Sequence, residues 1–260
     1  MEIYNSLQLR EVFHLEFLRW LGRSVKSEAY AVKGGVNLRL FFRSFRYSED
    51  MDIDVRGIGV IQLREAVMKI LKNSSFQENL KPFGIAGIIP PDLGKAKQTE
   101  TTQRFKVHII SASGDDLFTK VEFSRRGFSG RPLVGAVDDG ILRAYKLSPL
   151  LVPHYDGHSA VIQKFTALAG RTAVQARDIF DLYVLSSQCD ISGKFIDNID
   201  DEILQKAHER TFEVEFEQFR DTVVSYLSAE DQAVYNKPKS WDQIRLKVAH
   251  CIEEVRKSNA

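Results

Sequence analysis

Cysteine is scarce in this 260-residue chain: Cys189 and Cys251 are the only two, and they are far apart. They are too few for a disulfide framework and in no metal-ligand spacing, so buried thiols in a reducing compartment are expected. Long apolar runs are missing as well. Nothing approaches the roughly 20 consecutive residues that a bilayer-spanning helix needs. Arg10 and Glu11 interrupt the N-terminal region where a signal peptide would carry its apolar core. The expectation is a soluble, cytoplasmic protein without a membrane partner. A charge imbalance is also lacking, because 36 basic and 35 acidic residues leave a net charge of +1. Any nucleic acid must therefore be held by a local basic patch. Repeats and low-complexity segments are absent.

What is present divides in two. In "SLQLREVFHLEFLRWL" (6–21), Leu9, Val12, Phe13, Phe17, Trp20 and Leu21 form one apolar helical face, with Ser6 as N-cap and Gly22 as stop. The Phe and Trp residues there read as core. "AYAV" (29–32) is a strand ending in Lys33-Gly34-Gly35, and "VNLRLFF" (36–42) starts a helix. A strand at 50–55, a helix at 61–73, a Pro/Gly-bearing stretch at 81–94 and strands at 102–110 and 118–124 follow, with a turn at 114–116. In "LSPLLVPHYDGH" (147–158) two prolines and a glycine break regular structure. Helices are then expected at 159–169, 173–187, 201–228 and, after the cap Ser240, at 241–256. The fold class is α+β. A small mixed-sheet domain (1–150) precedes a helical bundle (151–260), leaving a cleft between them.

"SEDMDIDV" (48–55) carries the chemistry. Alternation puts Asp50, Asp52 and Asp54 on one side and Met51, Ile53 and Val55 in the core. Aspartate is depleted in strands and like charges at close range are unfavourable, so a divalent cation bound through carboxylate oxygens is expected. An EF-hand loop fails, since Val55 and Ile61 stand where Gly and Glu are required. A metal-assisted phosphoryl or nucleotidyl transfer site fits better. In "TKVEFS", Val121 and Phe123 face the core, and Lys120, Glu122 and Ser124 the other side, so Glu122 is a third ligand or an outward edge charge. Gly34-Gly35 lets backbone N–H groups approach a phosphate, or marks a tight turn. Lys33 steers phosphate or is solvated.

Lys164, Arg171 and Arg177 are spaced to share a helical face, which is also what a solvated face looks like. Arg177, Asp178 and Asp181 read equally as a clamp between domains. "SRRGFSGR" (124–131) reads as a nucleic-acid patch beside the active site, where an acceptor would enter, or as an ordinary basic loop. His154 and His158 lack the glutamate of a zinc helix, and Asp138-Asp139-Gly140 is a turn signal.

In order along the chain, "VKGGVNLRLFF", "RYSEDMDIDV", "KVEFS" and "VIQKFTALAGRTAVQARDIFDLYVL" (161–185) resemble the AbiEii/AbiGii-type nucleotidyltransferase toxins, the MenT-like group. The likeness runs from about residue 7 to 187 and implies a polymerase-β-like nucleotidyltransferase domain followed by helices. It implies that Lys33, Gly34 and Gly35 hold a nucleoside triphosphate, that Ser48 donates to a phosphate oxygen, and that Arg46 belongs to the same motif. Asp50 and Asp52 would bind Mg²⁺ (or Mn²⁺), with Glu122 the third acid. Lys164 would reach the triphosphate, with Arg177, Asp178 and Asp181 organising that side. Asp54 lies outside the minimal motif, as a supporting carboxylate or an exposed one. The implied function is the toxin of a toxin–antitoxin or phage-defence pair, with a cognate antitoxin. It would transfer NMP from NTP to RNA, at the 3′ end of tRNA. The alternatives are transfer to a protein hydroxyl and a catalytically silent nucleotide-binding protein.

Overall fold

The computed structural model describes residues 4–94, 97–189 and 199–259. The first helix, α1 (Ser6–Ser24), is capped by Asn5 rather than Ser6. The Asn5 side chain accepts from the Leu7 and Gln8 N–H groups, and Gln8 accepts in return from the Asn5 N–H. The helix runs through Gly22, because fully buried Phe13, Phe17 and Leu21 outweigh the roughly 1 kcal/mol that a glycine costs.

Seven strands form one mixed sheet among the described residues: β1 (Tyr30–Lys33), β2 (Met51–Val55), β3 (Ile85–Ile89), β4 (Thr102–Ser111), β5 (Asp116–Ser124), β6 (Pro132–Ala136) and β7 (Leu151–Tyr155). Their order is β3-β4-β5-β2-β1-β7-β6. The β2–β5 and β1–β7 pairs are parallel and the others antiparallel. Three of these strands differ from expectation. β3 lies in the Pro/Gly stretch, and β6 is short and exposed on both faces, so it shows no alternation. β7 occupies the segment expected to be broken. It is an interior strand with Val152 to Tyr155 all buried, and it reads as an apolar run that Pro153 disguises.

Four more helices accompany the sheet: α2 (Gly34–Phe41), α3 (Val60–Leu71), α4 (Ser74–Leu80) and α5 (Asp139–Ala144). α5 corrects the expected turn, since Asp138 caps it by accepting from the Gly140 and Ile141 N–H groups. α2 is seated twice. Arg39 Nε is 2.6 Å from Glu11 Oε1, and Asn37 donates to the Tyr155 carbonyl at 3.1 Å.

The chain divides into two compact units, Met1–Phe41 with Tyr47–Tyr155, and Phe42–Arg46 with Asp156–Ala260. The second is helical: α6 (Gly157–Gly170), α7 (Ala176–Gln188), α8 (Asp201–Arg210), α9 (Phe216–Thr222), α10 (Ala229–Tyr235) and α11 (Pro238–Asn259). The single helix expected over 201–228 is instead α8, α9 and a 3-10 turn at Val224–Tyr226. Its core stacks Trp241 on Phe219 at 4.3 Å between ring centroids, and the Trp241 indole donates to the Val214 carbonyl. Among the described residues no helix is long and apolar enough to cross a membrane.

Candidate active site

One rung of the sheet brings the sequence motifs together. Lys33 on β1 lies opposite Asp52 on β2, Asp52 beside Glu122 on β5, and Glu122 opposite Arg104 on β4. Their strand neighbours Val32, Met51, Ile53, Val121, Phe123 and Phe105 are fully buried, which fixes the charged residues on the other face. The alternation read from "DMDIDV" and "TKVEFS" therefore holds for Asp52 and Glu122.

The charges on this rung are unevenly matched. Lys120 Nζ lies 2.9 Å from Asp50 Oδ2 and 3.9 Å from Glu122 Oε2, and its backbone N–H donates to Asp50 Oδ1. Arg104 Nε is 2.5 Å from Glu122 Oε2. Among the described residues, no hydrogen-bond or ion-pair partner reaches the half-buried Asp52 carboxylate. Its pKa is pushed above the ordinary aspartate value by burial first and by Glu122 next, with Lys120 and Lys33 opposing and Asp50 adding. Against it stands Gly34. With φ +65°, it opens α2 in the left-handed region, and a Cβ there would lie 3.3 Å from Asp52 Oδ2. The start of α2 thus abuts the acid, and glycine is what allows the approach.

Neighbouring groups hold this rung in place. Ser48 Oγ donates to the Asp50 carbonyl at 2.8 Å, so its hydroxyl fixes the β2 entry, in a different contact from the expected phosphate. Thr119 Oγ1 donates to the Glu49 carbonyl at 2.7 Å and contacts buried His14 Nε2 at 2.9 Å. A hydroxyl whose proton is committed accepts, so His14 carries its hydrogen on Nε2. Burial and the charge of Arg10 lower the His14 pKa to about 3.

Asp54 is neither exposed nor unattended. It is buried, with Oδ1 2.6 Å from Lys33 Nζ and Oδ2 accepting from the Tyr155 hydroxyl at 2.7 Å and from Ser129 Oγ at 3.2 Å. Lys33, expected at the nucleotide, is tied to this carboxylate.

The helical unit holds a second charged cluster. Lys164 Nζ is 3.0 Å from Asp178 Oδ1 and 2.6 Å from Asp181 Oδ2. Arg171 Nε is 2.6 Å from Asp178 Oδ2, and Arg46 Nη2 is 3.1 Å from Asp181 Oδ1. Burial alone would raise the Asp178 pKa, but Lys164 and Arg171 outweigh it and hold it low. Lys164 is the converse case: burial lowers its pKa, and the two aspartates more than reverse this. The shared helical face expected for Lys164, Arg171 and Arg177 does not form. α6 ends at Gly170, Arg171 turns back to Asp178, and Arg177 is exposed on α7.

Asp50, Asp52 and Glu122 offer the hard oxygen donors that Mg²⁺ or Mn²⁺ takes, and unmatched Asp52 is where positive charge is short. The donor chemistry fits such an ion. Among the described residues no three His, Cys, Asp or Glu side chains are already gathered as a metal cluster. Lys120 and Arg104 instead engage the outer two acids. His154 is buried on β7 against Asn37, and His158 lies on α6. Both cysteines are half-buried, with pKa values raised chiefly by burial.

Residues 16–248 match the family described as "Nucleotidyl transferase AbiEii toxin, Type IV TA system". The chain belongs to the AbiEii family. It is thus a nucleotidyltransferase and the toxin partner of a toxin–antitoxin system. No curated protein sequence matches it. The fold is similar to that of MenT4, a nucleotidyltransferase toxin from Mycobacterium tuberculosis (TM-score 0.61, 14% identity, covering 98% of this chain and 94% of that one). It is similar also to JHP933 from Helicobacter pylori (TM-score 0.57, 17% identity, covering 98% and 94%). In this AbiEii protein, the sequence motifs left out Arg104 and Tyr155 and gave Lys120 no role. Lys120 was signalled by its alternation with Glu122; nothing local marked the other two.

Proposed function

We propose that this toxin transfers a nucleoside monophosphate from an NTP to RNA, at a tRNA 3′ end, using Mg²⁺ (or Mn²⁺) at Asp50, Asp52 and Glu122. The reading rests on Asp52, a half-buried carboxylate without a hydrogen-bond or ion-pair partner among the described residues, raised in pKa and pressed against the glycine that opens α2. Backbone N–H groups at Gly34 and Gly35, at a positive helix end, suit the triphosphate. The chemistry a divalent ion supplies at such carboxylates is neutralisation of phosphoryl oxygens and acidification of an attacking hydroxyl.

The acceptor oxygen bonds to the α-phosphorus, the bond to the bridging oxygen breaks, and pyrophosphate departs. The hydroxyl proton passes to a carboxylate of the rung. Ser48 and Lys120 hold Asp50 in place, and Lys33 offsets phosphate charge from beside Gly34. In the helical unit, Asp178 and Asp181 position Lys164. A lysine ammonium has three donors, of which these carboxylates take two, and the third serves a phosphate oxygen. Arg46 and Arg177 belong to the same side. The enzyme acts in the cytoplasm and is counteracted by a cognate antitoxin.

The test is incubation with Mg²⁺, each α-labelled NTP, total tRNA and cell extract. Label in RNA is expected; label confined to protein replaces the acceptor, and no label with any NTP overturns the reading.

A further inference from the structure

From Phe123 to Val137 the chain has three arginines and no acidic residue. This segment contains the connection from β5 to β6. In the sheet order those strands are separated by β2, β1 and β7, so the connection spans the width of these three strands, from Ser124 beside Asp54 to Pro132 beside Tyr155. It leaves β5 at Ser124, which pairs with Asp54, the next residue on the charged face after Asp52. Two residues of strand span about 6.6 Å. The basic connection therefore begins one short step from the Asp52–Glu122 rung, within the same unit.

The connection is fastened rather than loose. Ser129 Oγ donates to Asp54 and its backbone N–H donates to the Tyr155 hydroxyl at 2.8 Å. Phe128 packs edge-on against Tyr155 and lies under the Arg56 guanidinium, 4.4 Å from ring centroid to Cζ. Gly127, at φ +90°, allows the turn between Arg126 and Phe128. Arg125 is spent internally, donating to Gln103 Oε1 and to the Ile58 carbonyl. Arg56, Arg126 and Arg131 are exposed. Asp54 thus divides its two oxygens: one holds Lys33, next to Gly34, and the other holds the arginine-bearing connection.

We propose that this fastened connection, through Arg126 and Arg131 with Arg56 at its flank, is the surface that holds the phosphate backbone of the RNA acceptor. It rests on the RNA reading above and adds the place of contact. Guanidiniums suit phosphates because their forked donors match phosphate oxygens, and a pre-ordered segment loses little entropy on binding. The carboxylates one rung away exclude the same polyanion from their own position, so RNA is held beside the reacting atoms rather than over them.

Equilibrium binding of labelled total tRNA to the full chain, across a salt series, tests this without requiring turnover. Neutralising a phosphate contributes about 0.7–0.9 to the slope of log K against log salt. The variant Arg56→Ala/Arg126→Ala is expected to lower that slope by about 1.5 and raise the KM for tRNA, with melting temperature and NTP affinity unchanged. Arg126→Lys should keep the slope, since the charge is kept. A double variant with wild-type slope and tRNA affinity overturns the proposal, as does wild-type protein that fails to bind tRNA at low salt. If the slope falls as expected but no label enters RNA, the transfer reading fails while this surface stands. If label enters RNA and the tRNA KM is unmoved by the double variant, the surface fails and the transfer reading stands.

Discussion

The acidic rung of the sheet and the ion cluster of the helical unit use the same residue types with opposite balance. On the sheet, Lys120 and Arg104 engage Asp50 and Glu122, and Asp52 has neither. In the helical unit, two aspartates meet three cations, Arg46, Lys164 and Arg171, leaving one positive charge in excess. The pKa directions follow. Asp52 is raised by burial and by Glu122, whereas Asp178 is held low despite its burial. A carboxylate short of positive charge is relieved by a bound cation; one already surrounded gains nothing from it. The first arrangement suits a bound cation, and the second holds α6, α7 and the 42–46 segment together.

Changing Asp52 to Asn should break this contrast most. Metal stabilisation of a phosphoryl transition state is worth several kcal/mol, so transfer should fall about 1,000-fold in a labelled-NTP assay. A carboxylate with a raised folded pKa contributes stability below its unfolded pKa of about 4, and loses it as the pH rises through the folded value. At neutral pH the wild type therefore carries a poorly neutralised acid. The metal-free Asn variant should melt no lower than wild type, and should lose the stabilisation that Mg²⁺ gives. Wild-type transfer, or a retained Mg²⁺ shift, would remove Asp52 from the site.

The converse change, Asp178→Asn, should act on stability. Removing one partner of a buried ion cluster costs about 3–5 kcal/mol. At about 2–4 °C per kcal/mol, the lower figure alone implies a drop of about 6–12 °C in Tm. Because the Asp178 pKa is depressed, wild type keeps this contribution above about pH 4 and loses it as the pH falls further. A Tm within 2 °C of wild type would show the cluster to be a poor clamp.

The smallest effect concerns His14. Its folded pKa of about 3 lies below the unfolded 6.5, so the unfolded chain takes up a proton that the folded one refuses. Stability should fall by about 2 kcal/mol between pH 7 and pH 5 on this account. In denaturant titrations His14→Gln should flatten that slope; an unchanged slope would assign it to other groups.

Alternation alone placed Lys120 and Glu122 opposite Val121 and Phe123, because a half-buried strand shows its faces in its sequence. Which strands adjoin was not legible. The β2–β5 pairing that brings Asp52 beside Glu122 joins distant segments, and no local signal encodes it. Asp54 illustrates the cost. Its burial depends on Tyr155 and Ser129, and Tyr155 lies on a strand that Pro153 hid. In the helical half, the seven- and six-residue spacing of Lys164, Arg171 and Arg177 suggested a common face, but Gly170 ends α6 and the chain reverses, so spacing carried no meaning across the break.

Among the described residues β7 is the last strand of the sheet to be synthesised, yet it sits between β1 and β6. Until residue 155 leaves the ribosome, β6 has no neighbour, β1 has one open edge and Asp54 lacks the Tyr155 hydroxyl. A chain released before Leu151 would contain every carboxylate of the rung without the strand that closes the sheet around them. Premature termination in the first unit should therefore yield harmless, protease-sensitive fragments rather than a partly active toxin.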